Sequence, residues 1–310
     1  MTLLLSRGNT TKNHKFVAEH NSGHAFAMKV LLQLVLVAMW ATNAVGQSAP
    51  NAAAGSPLAI ISDPITTTVD AFYLGSDRHV HQLWLSSGIW HPLDLTAAAG
   101  APNAVAGSPL VSISDPITTT VDVFYLGSDQ HVHQLWLSSG IWHPLDLTAA
   151  ALGAPNAAAG SPLTSISDPI TTTVDVFYVG SDQDVHQLWL SSGVWHPLDL
   201  TAAAGDPSAF AGSLSSISDP ITTTVDAFYL GSDRHVHQLW LSSGIWHPLD
   251  LTAAASAPIA GFGSPLVSIS DPITTTVDVF YLGSDQHVYE LWLSGGIWHP
   301  LDVTTAASGH

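Results

Sequence analysis

The 310-residue chain contains no cysteine. Disulfides, thiolate metal sites and cysteine nucleophiles are excluded at once. The compartment stays open, because a large core needs no staples. Basic residues are almost as scarce: Arg7, Lys12, Lys15, Lys29, Arg78 and Arg234 stand against 24 acidic residues, a net charge of −18. From Gln47 onward, 22 Asp and Glu290 face two Arg, a net charge of −21. No basic stripe exists to neutralise phosphates, so nucleic acid is not an expected partner. Electrostatic attachment to an anionic membrane is excluded on the same ground. Long apolar runs are also missing. The run Val30 to Trp40 has 11 residues with Gln33 inside it. That is short of the roughly 20 needed to span a bilayer, so no membrane insertion is expected.

That run has the form of a leader. Lys29 supplies a positive n-region, Val30 to Trp40 the apolar h-region, and Ala41 to Gly46 a segment of small residues. Residues 28–46 are therefore read as a secretory signal peptide. Residues 1–27 are read as an N-terminal extension from a mis-assigned start, or a disordered one. The expected mature chain is 47–310, secreted or periplasmic.

What the sequence does have is repetition. The Asp-Pro of "ISDPITTTVD" recurs at Asp63, Asp115, Asp168, Asp219 and Asp271, with spacings of 52, 53, 51 and 52. A period near 50 points to a solenoid, a propeller or an array. The five units are approximately 56–107, 108–160, 161–211, 212–263 and 264–310. In the second copy, Leu110 to Ser114, Thr118 to Gly127, His131 to Ser138 and Ile141 to Thr148 each read as a strand. Gly127 to Asp129 and Ser138 to Gly140 supply the turns. The joint Ala149 to Pro162 is rich in alanine, but Pro155 and the glycines break it, and it reads as a linker. Four antiparallel strands repeated five times predict an all-β, five-bladed β-propeller. Val121 and Val123 alternate with Phe124 and Leu126, so the second strand is apolar on both faces, as a blade between two neighbours requires. A linear array would leave such faces bare at its ends, and neither end shows a polar capping repeat. A closed ring is the expectation, closed by five blades alone or by oligomerisation.

Three chemistries compete for the polar and aromatic residues of "HVHQLWLSSGIWH". His131 and His133 project from one strand face about 6.5–7 Å apart, and with a third ligand such a pair can hold zinc. The third copy breaks the pair with Asp184, the fifth with Tyr289. The bland reading is a polar strand rim, and neither a metal nor a cofactor is expected. Catalysis needs two differently tuned carboxylates in one asymmetric centre for glycoside cleavage, which near-identical copies do not provide. No Ser-His-Asp elbow is present either, so no enzyme is expected. Sugar binding needs an aromatic face and a few directed polar groups, and Trp142, Gln134, Asp122, His133 and His143 can supply them.

The stretch "VDVFYLGSDQHVHQLWLSSGIWH" resembles the blade repeat of the fucose-lectin-like β-propellers of bacteria and fungi, and of the bladed lectins. The resemblance spans all five repeats. In that family, each inter-blade cleft presents an Arg from strand 2, a Glu from strand 3 and an aromatic near the following turn. Carried over position by position, the resemblance implies the sets Asp70, Gln82, Trp90; Asp122, Gln134, Trp142; Asp175, Gln187, Trp195; Asp226, Gln238, Trp246; and Asp278, Glu290, Trp298. The aromatic is kept five times, the Glu once, and the Arg never. An Asp accepts hydrogen bonds from sugar hydroxyls but cannot donate them as Arg does. The implied function is a multivalent, lectin-like binder of glycans or glycoconjugates, with a fucose-type or other neutral sugar in the inter-blade clefts. The alternative is a non-catalytic adhesion or protein-interaction scaffold in which the Trp and His are structural.

Overall fold

The computed structural model describes residues 49–64 and 66–308. The proposed signal peptide and the N-terminal extension lie outside the described residues. Among the described residues, no helix is long and apolar enough to cross a membrane.

Twenty strands form five separate four-stranded antiparallel sheets, one per repeat, each with its strands in sequence order. In the second blade, β5 is Leu110–Asp115, β6 Thr120–Leu126, β7 Val132–Ser138 and β8 Ile141–Asp146. The second and third lie within the segments read from the sequence, and the first runs one residue past its own. The fourth ends two residues early, because Asp146 starts a helix. Its carboxylate accepts a hydrogen bond from the Ala149 backbone N–H at 2.9 Å and caps Leu147–Ala150. Asp followed by Leu, Thr and alanines is an N-cap signal, and the first four blades all have this capped turn of helix. The fifth ends in the helix Val303–Ser308, where Asp302 accepts from the Thr305 N–H at 2.8 Å. The joint read as a linker is thus part helix. Thr148 in that helix reaches back, its hydroxyl accepting from Val132 N–H at 2.9 Å.

The "DPITTT" segment is the turn between the first two strands. One Asp115 oxygen accepts the Ile117 N–H at 3.0 Å, and the other accepts the Thr118 N–H at 2.8 Å. The same aspartate type joins neighbouring blades: Ser114 donates to Asp63 at 2.7 Å.

Strand register decides what each blade shows its neighbours. Cross-strand partners share a face. The rows Ile113–Asp122–Trp136–His143 and Val111–Phe124–Gln134–Leu145 lie on one face. The rows Leu110–Tyr125–His133–Asp146 and Ser114–Val121–Leu137–Trp142 lie on the other. The first face of each blade packs on the second face of the next. Phe124, Leu126 and Val132 share one apolar cluster with Val174, Tyr178 and Trp195 of the third blade. Tyr125 ties its blade to the preceding linker by donating to the Pro102 carbonyl at 2.8 Å.

The outermost faces bear on whether five blades close a ring alone. Trp90 is 49% exposed, whereas Trp142, Trp195, Trp246 and Trp298 are 5–7% exposed. Leu58 and Ile60 beside it are open, as are Val267, Ile269 and Leu282 on the far side of the fifth blade. Four blade-to-blade interfaces are therefore complete, and the second face of blade one and the first face of blade five are free among the described residues. The apolar faces were legible in the sequence. The angle between blades, which decides closure, was not.

Candidate inter-blade binding clefts

Each interface brings together side chains from two blades. The sets of three implied by the resemblance do not share one. Asp122 and Gln134 lie on the first face of blade two, while the two-residue Ser139–Gly140 turn pairs Leu137 with Trp142 and puts that Trp on the second face. The sets recombine across the interface. Phe72 beside Gln82 meets Trp142 edge to face at 6.4 Å, Phe124 meets Trp195 at 6.5 Å, Phe177 meets Trp246 at 6.3 Å and Phe228 meets Trp298 at 6.4 Å. Asp70 and Gln82 thus share an interface with Trp142, Asp122 and Gln134 with Trp195, Asp175 and Gln187 with Trp246, and Asp226 and Gln238 with Trp298. Asp278 and Glu290 sit on the free face of blade five, and Trp90 on the free face of blade one.

The groups in the four interfaces lie buried within them. Asp122, Gln134 and Trp142 are all buried. Gln134 Nε2 donates to Asp122 Oδ1 at 2.6 Å, and Thr120 donates to Asp122 Oδ2 at 2.7 Å. The same pair of bonds recurs at Asp70, Asp175 and Asp226. The threonine run of "ITTTVD" therefore feeds a buried polar ladder. Burial pushes the carboxyls of Asp122, Asp175 and Asp226 up to about 6, against the lowering effect of the Thr and Gln hydrogen bonds. Asp70 and Asp278 are raised for the same first cause, desolvation. Glu290 is raised by burial and then by the nearby Asp278 charge.

A second set of tryptophans has an exposure that strand parity alone did not reveal. Trp136, mid-strand between two leucines, is expected from the sequence to be the more buried tryptophan. The structure reverses this: Trp136, Trp189, Trp240 and Trp292 are half-buried, and each stacks on the histidine opposite it. The ring centroids of Trp136 and His143 are 4.4 Å apart at 26°, and the other copies fall between 4.2 and 4.4 Å. The imidazole covers one face of each indole, which leaves the opposite face for the C–H face of a sugar ring. In blade one the equivalent Trp84 is buried. The interface between blades one and two differs again, since Gln82 Oε1, Ser112 Oγ and Trp142 Nε1 are buried there without a hydrogen-bond partner.

No family model matches the chain, and no curated protein matches it by sequence. Solved structures do match. The BP39L lectin from Burkholderia pseudomallei is 22% identical with a TM-score of 0.62, over 82% of this chain and 72% of that one. The Aleuria aurantia lectin, described as a six-bladed β-propeller with a novel mode of fucose recognition, is 15% identical with a TM-score of 0.54, over 83% and 81%. The SapL1 lectin, solved with α-methyl fucoside, is 14% identical with a TM-score of 0.56, over 80% of each chain. The fold is that of these lectins. Five four-stranded sheets are present here, against the six blades described for the Aleuria aurantia lectin.

Proposed function

We propose that the protein is a secreted, multivalent glycan-binding protein that acts by binding and not by catalysis. Its sites are the inter-blade clefts. The observation that carries this reading is the recurrence of one interface design, with a half-buried Trp–His stack, in a fold shared with lectins that recognise fucose. A pyranose stacks on the face of Trp136 opposite His143, above the Asp122–Gln134 floor and the edge of Trp195. Trp189 and Trp240 open the next two clefts in the same way. Because the floor offers a carboxylate and an amide and no guanidinium, a neutral sugar of the fucose type suits it better than an acidic one. A single shallow site of this kind binds in the millimolar range, near −4 kcal/mol. Three such sites on one rigid frame raise the avidity for clustered glycans by about a hundredfold or more.

The test is a glycan array probed with the intact protein and with a variant carrying Trp136→Ala, Trp189→Ala and Trp240→Ala. Binding to fucosylated or other neutral glycans, lost in the variant while its circular dichroism is unchanged, supports the reading. A folded protein silent across the array favours the scaffold alternative.

A further inference from the structure

A second set of side chains recurs along the chain at the opposite ends of the strands, where β6 turns into β7 and β8 runs into its helix. In blade one, Asp77, His79, His81 and Asp94 bring one donor atom each within 4.8 Å of one another. Asp129, His133 and Asp146 do so in blade two, Asp182, His186 and Asp199 in blade three, and Asp233, His237 and Asp250 in blade four. We propose that these four clusters are binding sites for a divalent transition metal, with zinc the best match to the donors.

The spacing fits. In a tetrahedral zinc site with bonds of about 2.0–2.2 Å, ligand atoms lie about 3.3–3.5 Å apart. In blade one the His79 Nδ1–Asp94 Oδ2 distance is 2.8 Å, the His81 Nε2–Asp77 Oδ1 distance is 3.1 Å, and the His79 Nδ1–Asp77 Oδ2 distance is 4.0 Å. These values bracket the required range. The imidazoles select zinc, copper or nickel over magnesium or calcium, which prefer all-oxygen sites.

The donors are also held in place by groups outside the cluster. Each carboxylate gives one oxygen to a backbone N–H. Asp129 Oδ1 accepts from His131 N–H at 3.1 Å, and Asp146 Oδ1 accepts from Ala149 N–H at 2.9 Å. Both Asp129 oxygens also lie 3.1 Å from His133 Nε2, and Asp146 Oδ2 lies 2.8 Å from His131 Nδ1. His133 is stacked on Tyr125 at 5.5 Å and lies so close to Gly127 that a Cβ there would meet its ring at 2.6 Å. Hydrogen-bonded carboxylates and fixed imidazoles are what a metal site needs around its ligands. A bound ion would pin the turn to the helix that closes the blade.

The differences between copies separate this role from a purely structural one. Blade five keeps the turn, but Tyr289 replaces the buried histidine and donates its hydroxyl to Asp285 at 2.8 Å. The same turn therefore folds without the imidazole nitrogen. Blade three keeps the buried His186 and has Asp184 in place of the outer histidine.

The experiment titrates zinc into chelator-treated protein by calorimetry, with elemental analysis after dialysis and magnesium as the control. About four zinc equivalents per chain are expected, with no magnesium heat. Two variants decide the assignment. Replacing His81, His133, His186 and His237 with tyrosine, the residue blade five already uses, should abolish uptake. Tyr289→His should raise uptake to about five. Zinc uptake that is absent, unchanged in the first variant, or unchanged in the second overturns the proposal and leaves the clusters as His–Asp hydrogen bonds only. None of these readouts depends on sugar binding, so this inference and the glycan reading fail separately.

Discussion

Phe124 of the second blade and Trp195 of the third, 71 residues apart in sequence, meet edge to face at 6.5 Å with an angle of 79° between their rings. Three further interfaces repeat that contact. It makes the tryptophan after the Ser-Ser-Gly turn a packing residue first. Trp195→Ala should cost about 3–5 kcal/mol of stability, the usual range for deleting a buried aromatic. Trp90→Ala deletes the same side chain from an exposed face and should cost well under 1 kcal/mol, since most surface changes stay within about 0.5 kcal/mol. Parallel denaturant titrations check both. Equal losses would mean that Trp90 is packed, and that the arc closes on itself.

The buried aspartates set a pH dependence. Asp122, Asp175 and Asp226 titrate near 6 in the folded protein, and near 3.9 when unfolded. Between those values the folded state binds more protons, so stability falls as pH rises from about 4 to about 6 and is flat above. Asp129 and Asp233 are shifted down, through hydrogen bonds and charge from their histidines that outweigh burial. They oppose the trend only at lower pH, where their contribution is lost as pH falls through their folded pKa. The melting temperature should therefore be higher at pH 5 than at pH 7. Replacing Asp122, Asp175 and Asp226 with Asn, which keeps an acceptor for the Gln amide, should flatten the profile. Scanning calorimetry across pH 4–8 reads this directly, and an unchanged slope in the triple variant would count against it.

The linker serines act as backbone caps. Ser108 is buried, accepts the Leu126 N–H at 2.8 Å and donates to the Pro109 carbonyl at 2.7 Å. Ser108→Ala leaves that strand-end N–H unpaired and should cost about 1–3 kcal/mol. Urea unfolding with an unchanged m-value is the check.

Gly127 is required by contact and not by backbone angle. A Cβ there would lie 2.4 Å from Asp129 Oδ1 and 2.6 Å from the His133 ring. Gly127→Ala should destabilise by about 1–3 kcal/mol, as overpacking does, and displace His133 from Asp129. Thermal melts and the His133 imidazole resonances by NMR report the two effects separately.

Much of this was legible in the sequence. The 52-residue period gave the blades, and alternation gave the strands to within a few residues. Two features were encoded and easy to miss. Asp146 before Leu-Thr-Ala-Ala is a helix cap, and the two-residue Ser139–Gly140 turn already places Trp142 and Gln134 on opposite faces. The exposure of Trp136 and the burial of Trp142 were not legible. They depend on how far each blade overlaps the next, which no local pattern records. Whether five blades close alone was not legible for the same reason, since Trp90 and Trp142 have nearly identical sequence neighbours and opposite burial.

The central claim is that separate, equivalent clefts bind sugar. Isothermal titration of the intact protein with α-methyl-L-fucoside, extended to other neutral methyl glycosides, tests it most directly. The clefts opened by Trp136, Trp189 and Trp240 predict saturable binding at about three equivalent sites per chain, with each Trp→Ala change removing one. No saturable binding of any monosaccharide, or one site unaffected by all three changes, would contradict it.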